Sequence, residues 1–181
     1  MEAQRELSNH AHSLWLIDPS HTSVEFSIKN FFFFTVKGRL TDLIGTIVLD
    51  ERDIRRSSVD ATIKTASLET GLQRRDTHLR SADFLEVDRY PEIQFQSTKV
   101  EPGRDRDTLR VIGPLTIKGR SKEVVLDVTE VDRSCSPSGQ EVAYYTALVN
   151  IDRFDFGVNH LRGLIGRTLK VTINVQALRQ T

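Results

Sequence analysis

Period-two alternation of apolar and polar side chains runs through most of the chain. In Ser23–Lys29 the apolar Val24, Phe26 and Ile28 alternate with Ser23, Glu25, Ser27 and Lys29. Successive side chains of a strand face opposite sides, so such a segment has one greasy face and one wet face. The pattern recurs at Val59/Ala61/Ile63, Ile93/Phe95, Leu109/Val111, Leu115/Ile117, Val124/Leu126/Val128 and Tyr145/Ala147/Val149/Ile151. It is cleanest at the end, where Leu169, Val171, Ile173, Val175 and Ala177 alternate with polar residues. β-Branched and aromatic residues fill these positions, as strands prefer. With Leu43–Asp50 and the stretch near Thr35–Leu40, the sequence predicts about eight or nine strands. Pro102-Gly103, Lys118-Gly119-Arg120-Ser121 and Pro137-Ser138-Gly139 fall between alternating runs, as hairpin connections would. None of these leaves room for a crossover helix, so an antiparallel meander is expected.

Leu72–Leu85 breaks the alternation. Its early cluster of charges, followed by Leu79, Ala82, Phe84 and Leu85, predicts one or two helical turns laid as a cover over one end of a sheet. Phe31–Phe34 is the other exception. Four consecutive aromatics cannot all point to one side of a strand, so some must meet a second apolar layer or solvent.

A strand set with one apolar face must bury it against a second sheet or close on itself. A closed barrel of about eight strands encloses side chains or one small ligand. Alternation alone leaves sandwich and barrel both open. With 181 residues the chain fits one domain: a flexible extension over residues 1–13, then a single domain over 14–179.

Charge narrows the function. Basic and acidic residues balance at 25 each, and they intermingle, as in Arg104-Asp105-Arg106-Asp107. The overall balance gives no basic stripe to draw nucleic acid or an anionic membrane. Cys135 stands alone in a Ser/Pro/Gly-rich loop and reads as an incidental thiol. The opening residues lack the basic start and apolar stretch of a secretory signal, and no segment approaches the ~20 apolar residues of a membrane span. A cytoplasmic protein without stable membrane insertion is the expectation.

Seven motifs in order then suggest a family. Trp15-x-Ile17-Asp18-x-x-His21-Thr22-x-Val24-x-Phe26 opens the series, followed by Val36-x-Gly38 and Gly45-x-Ile47. Arg75-Asp76-x-His78-Leu79-Arg80-Ser81-x-Asp83-Phe84 and Tyr90-Pro91-x-Ile93-x-Phe95-x-Ser97-Thr98 come next. Gly113-x-Leu115-Thr116-Ile117-x-Gly119 and Arg153-x-Asp155-Phe156-Gly157 complete it. From Trp15 to Ala177 the chain resembles the YceI-like family of polyisoprenoid-binding proteins. The resemblance implies an all-β, lipocalin-like antiparallel barrel with a short helical cover, carrying an isoprenoid quinone or polyprenyl phosphate inside. It also implies dimers, and an exposed strand edge or the aromatic run offers surfaces for a homodimer. One departure stands out. The family often has His where this chain has Asn30, followed by a small, Gly-containing stretch that Phe31–Phe34 replaces. Those rings would alter the cavity mouth or narrow the space for ligand.

Alternation and this likeness together nominate Phe26, Ile28, Ile63, Phe84, Phe95, Leu115, Ile117 and Val149 as an apolar lining. Burying a prenyl chain there is favourable by about 25 cal/mol per Å² of apolar area, so tight binding needs few polar contacts. Arg75, Asp76 and His78 are the candidates at the mouth, where guanidinium donors suit a pyrophosphate or quinone oxygen. The plainer reading is preferred for Arg75 and Asp76: they cap the helical turn and tie the cover down. His78 and His160 lack metal-ligand spacing, and Ser81 has no nucleophile elbow around it, so neither a metal nor catalysis is expected. Gly163–Thr168 departs from the phosphate-loop pattern and precedes a strand. The expectation is therefore a non-catalytic carrier with no cofactor other than its isoprenoid lipid. The alternatives are an enzyme acting on such a lipid through Arg75, Asp76 and His78, and a ligand-free structural barrel whose lumen the phenylalanines fill.

Overall fold

In a computed structural model of the chain, the structure describes residues 12–31 and 33–181. Twelve strands form there: β1 (His12–Ile17), β2 (Ser23–Asn30), β3 (Phe34–Leu40), β4 (Leu43–Asp50), β5 (Ser58–Lys64) and β6 (Leu68–Glu69) in the first half. β7 (Glu92–Gln96), β8 (Lys99–Pro102), β9 (Thr108–Ile117), β10 (Arg120–Cys135), β11 (Glu141–Asp152) and β12 (Thr168–Arg179) follow. Eight of them close into an antiparallel barrel in the order β1-β4-β5-β7-β9-β10-β11-β12, sealed by pairing of β1 with β12. Closure removes the exposed edges that an open sheet of this size would present. β2, β3 and β6 extend the sheet from β12, while β8 lies beside β9.

The count exceeds the eight or nine strands read from alternation because β1, β6 and β8 lie outside the alternating runs; β1 and β8 each continue a neighbouring strand across a break. β1 and β2 pair successive stretches of β12 around the turn Pro19–His21, and β7 and β8 do the same along β9. Gly113 sits where β9 passes that second break. A Cβ there would lie 2.0 Å from the Gln96 carbonyl oxygen, which explains a glycine inside an otherwise β-branched strand. The long hairpins form at the expected turns. Lys118 and Gly119 join β9 to β10 with φ of 51° and 72°, the paired left-handed conformation of a type I′ connection.

The domain begins slightly ahead of the expected boundary at residue 14. His12 and Ser13 already pair with Asp50 and Leu49 in β1; the remainder of the expected extension, residues 1–11, lies outside the described residues. The cover is a single helix, α1 (Gln73–Arg80), followed by turns up to Tyr90.

The two ends of the barrel differ. At one end, near the 136–140 hairpin, Trp15 is 1% exposed against Leu49, Ala143 and Ala177, and Arg133 lies over its ring at 5.2 Å. The opposite end gathers the cover, the 118–119 turn, the β2–β3 tip and the 157–167 loop.

A candidate lipid chamber

Inward-facing side chains of the barrel leave a cavity of about 450 Å³. This lies within the range of roughly 300–1,000 Å³ typical of small-molecule pockets. All eight residues nominated as an apolar lining (Phe26, Ile28, Ile63, Phe84, Phe95, Leu115, Ile117 and Val149) lie on its wall. For seven of them the reason is the strand period, each occupying the inward phase of its strand, whereas Phe84 reaches the wall from the turns after α1. Among the described residues, polar side chains reach the chamber from Asn30, Ser57, Arg75, His78, Tyr145 and Arg153. Burial pushes the Tyr145 hydroxyl up to about 12, with Glu130 adding to the shift, so it stays a neutral phenol.

At the mouth, Arg75 and His78 border the chamber while Asp76 does not. The Asp76 carboxylate is buried and accepts from the Thr70 backbone N–H at 2.8 Å and its hydroxyl at 2.5 Å. Arg75 Nε donates to that same hydroxyl at 2.7 Å, and Nη2 donates to the Thr70 carbonyl at 2.9 Å. Asp76 is thus spent on tethering α1 to the segment after β6, which is the plainer of the two roles considered above. Arg80 adds a bond to the Leu68 carbonyl.

His78 Nε2 lies 2.9 Å from Asp83 Oδ2, and His160 Nε2 lies 3.8 Å from the same oxygen. The bond from His78, helped by His160, holds the Asp83 carboxyl below its usual range. The Phe84 ring meets both imidazoles edge-on, with centroids 5.0 Å and 5.1 Å away. Ser81 Oγ donates to the His78 carbonyl oxygen instead of its ring. Sequence reading treated His78 and His160 as isolated residues. Their convergence carries no spacing signal, because it depends on how the cover docks against a distant loop.

Arg153 opens the last of the ordered motifs without being named among the site candidates, yet it organises the mouth. It is 4% exposed, and its guanidinium donates to the carbonyls of Val158 (2.7 Å), Gly166 (2.8 Å), His160 (2.9 Å) and Ile165 (3.2 Å). Burial, with Arg162 nearby, lowers its pKa. One fork of donors therefore holds the whole 157–167 loop in place. Asn30, the site of the departure noted above, presents a buried Oδ1 with no hydrogen-bond partner among the described residues. Of the aromatic run, Phe31 sits on the chamber's rim, whereas Phe33 and Phe34 face solvent. Phe32 lies outside the described residues.

Residues 15–177 match the YceI-like domain. The chain belongs to the YceI-like family. A UPF0312 protein of Pectobacterium atrosepticum is 34% identical over 160 residues, covering 88% of this chain and 82% of the relative. Among solved structures, the YceI protein of Campylobacter jejuni superposes with a TM-score of 0.75 at 29% identity, covering 85% of this chain and 91% of the other. A polyisoprenoid-binding domain from Saccharophagus degradans, implicated in plant cell wall breakdown, shares the fold with a TM-score of 0.62 at 15% identity. It covers 94% of this chain and 98% of that domain. The ordered motifs of the YceI-like chain now have positions. Gly113 allows the β7–β8 crossing, Arg75 and Asp76 anchor the cover, and Arg153 anchors the mouth loop.

Proposed function

We propose that this protein is a non-catalytic carrier that takes the hydrocarbon tail of an isoprenoid lipid into its barrel and leaves the head group at the mouth. The observation that carries the reading is the 450 Å³ chamber, whose walls are apolar except for a few groups. An isoprenoid tail is branched, flexible and without polar atoms, so such walls cost it nothing in lost hydrogen bonds. The description of the Saccharophagus domain as polyisoprenoid-binding supports the same ligand class.

The head group would meet Asn30, Arg75 and His78. Asn30 Oδ1 needs a donor and its amide can give one, while Arg75 and His78 suit an anionic or carbonyl oxygen. A quinone and a polyprenyl phosphate both answer this description. Binding is favoured over turnover because the polar groups at the mouth are already engaged: Arg75 with Thr70, Arg153 with four carbonyls, His78 with Asp83. Native mass spectrometry of freshly purified protein, with solvent extraction in parallel, tests the carrier. A bound prenyl lipid is the expected result. Protein that arrives empty and takes up no prenyl quinone or prenyl phosphate from detergent would remove the proposal.

A further inference from the structure

The mouth is also where the largest exposed apolar side chains gather. Phe33 is 87% exposed, Phe34 67% and Phe31 49%, beside Leu164 at 44% and Leu161 at 37%. The β2–β3 tip and the 157–167 loop are bound together through their backbones. The Phe31 N–H donates to the Leu164 carbonyl at 2.7 Å, the Gly166 N–H to the Lys29 carbonyl at 2.8 Å, and Asn30 bridges to Ile165. Phe31 and Leu161 hold left-handed φ values of 48° and 53°, which non-glycine residues rarely adopt. Folding thus spends strain on a raised tip and displays its greasy residues, where an ordinary surface loop would be polar.

The charge of these two segments is one-sided. Lys29–Arg39 and Gly157–Thr168 contain Lys29, Lys37, Arg39, Arg162 and Arg167 and no acidic residue. Glu69 pairs with Arg39 and Asp152 with Arg167, which leaves Lys29, Lys37 and Arg162 without a carboxylate partner among the described residues. The balanced charge of the whole chain conceals this asymmetry. Phe31, Leu161 and Ile165 also line the chamber, so the apolar tip is continuous with the cavity wall.

We infer that this tip and loop form a lip that docks onto an anionic lipid bilayer, placing the chamber mouth at the membrane surface. Aromatic and leucine side chains enter the headgroup boundary, and the basic collar meets anionic lipid. A second copy of the chain is a poorer occupant, because a two-fold contact through this lip would set like charges against each other. The inference rests on the carrier reading for its purpose, but its test is independent of cargo.

Full-length protein is floated with phosphatidylcholine vesicles, with and without phosphatidylglycerol. Wild type should partition to the anionic vesicles, and salt should release it. Phe33→Ser with Phe34→Ser should weaken partition about tenfold or more, as should Lys37→Glu with Arg162→Glu. Phe33 and Phe34 lie outside the core, so an unchanged melting temperature shows that the fold is intact. Equal binding to both vesicle types, or full binding by the Phe33/Phe34 variant, overturns the inference. So does a wild-type dimer that the same variant splits. If the protein takes prenyl lipid from detergent but ignores vesicles, the lip fails alone; if it binds vesicles but holds no prenyl lipid, the carrier fails alone.

Discussion

Replacing Ala147 by phenylalanine separates a hollow barrel from a solid one. Ala147 is 6% exposed on β11 and faces the chamber, between Ile173 and Val128 on the neighbouring strands. A phenyl group added there occupies space that a tail would use. Burying the ring contributes about 1.5–3 kcal/mol, and crowding a packed wall costs about 1–3 kcal/mol. With a chamber of 450 Å³ to receive the ring, the two nearly cancel, and the melting temperature should stay within a few degrees of wild type. Ligand binding responds differently. Each buried methylene is worth about 0.8 kcal/mol, so displacing one five-carbon isoprene unit costs about 4 kcal/mol, roughly a thousandfold in affinity. That figure is an upper bound, because the tail can fold around the ring. Differential scanning fluorimetry of empty protein and titration with a short-chain prenyl quinone read the two effects. Loss of many degrees together with unchanged ligand affinity would falsify the reasoning, since it means that Ala147 faces a filled core.

Two other predictions concern the ends of the barrel. Arg153→Met should destabilise the protein by about 2–4 kcal/mol, because it strands the carbonyls of Val158, His160, Ile165 and Gly166. Thermal denaturation checks it; lysine should restore only part of the loss, lacking the planar fork, and a methionine variant as stable as wild type refutes the role. At the Trp15 end, Asp50 is 1% exposed and accepts from the backbone N–H groups of Arg52 (2.9 Å) and Asp53 (3.1 Å), with His12 and Arg56 beside it. Chiefly the bond from Asp53 holds its carboxyl below the ordinary value of 3.8. A depressed folded-state pKa stabilises above the unfolded value and is lost as pH falls through the folded one. The stability gap between wild type and Asp50→Asn should therefore hold from neutral pH down to about 4 and close below it. A gap that is constant across that acidic range removes this assignment.

The walls of the chamber were legible because a strand's period is rigid. Once Val149 and Ile151 are inward, Ala147 and Tyr145 must be too, and no tertiary information is needed. The ring order was less legible. Pairing of β1 with both β4 and β12 joins segments that lie far apart in the chain, and β1, β6 and β8 lie outside the alternating runs, the last two being only two and four residues long. The mouth was legible in its residue types and, for Asp76, in its preferred role: the tether expected of it is made to Thr70, only six positions away. Arg153 stood in the sequence only as the first residue of a motif. Its four acceptors come from a loop without alternation, and local pattern cannot place such a loop over an arginine.

For the proposed carrier, the contrast between the two ends bears on how a tail would enter. Trp15 is fixed by its Nε1 bond to Ser13 at 2.8 Å, by packing against Ala143 and Ala177, and by Arg133, which is itself held by Glu130 and Glu51. Opening there would expose a buried indole and break the β1–β12 seam that closes the barrel. The cover is held otherwise. Thr70 and Leu68 anchor its start through Arg75, Asp76 and Arg80, and Thr65 anchors its end through the carbonyls of Tyr90 (2.9 Å) and Pro91 (2.9 Å). Between those anchors the turns after α1 rest on Phe84 and Leu85, with a long 3.3 Å bond from Lys118 to Ala82. Lifting these turns would break no barrel strand pair and would expose two apolar side chains at the place where the basic, aromatic lip would meet a membrane. For the proposed carrier, entry through the cover would therefore be the less costly path, and it would place the head group among Asn30, Arg75 and His78 without requiring the barrel to unzip.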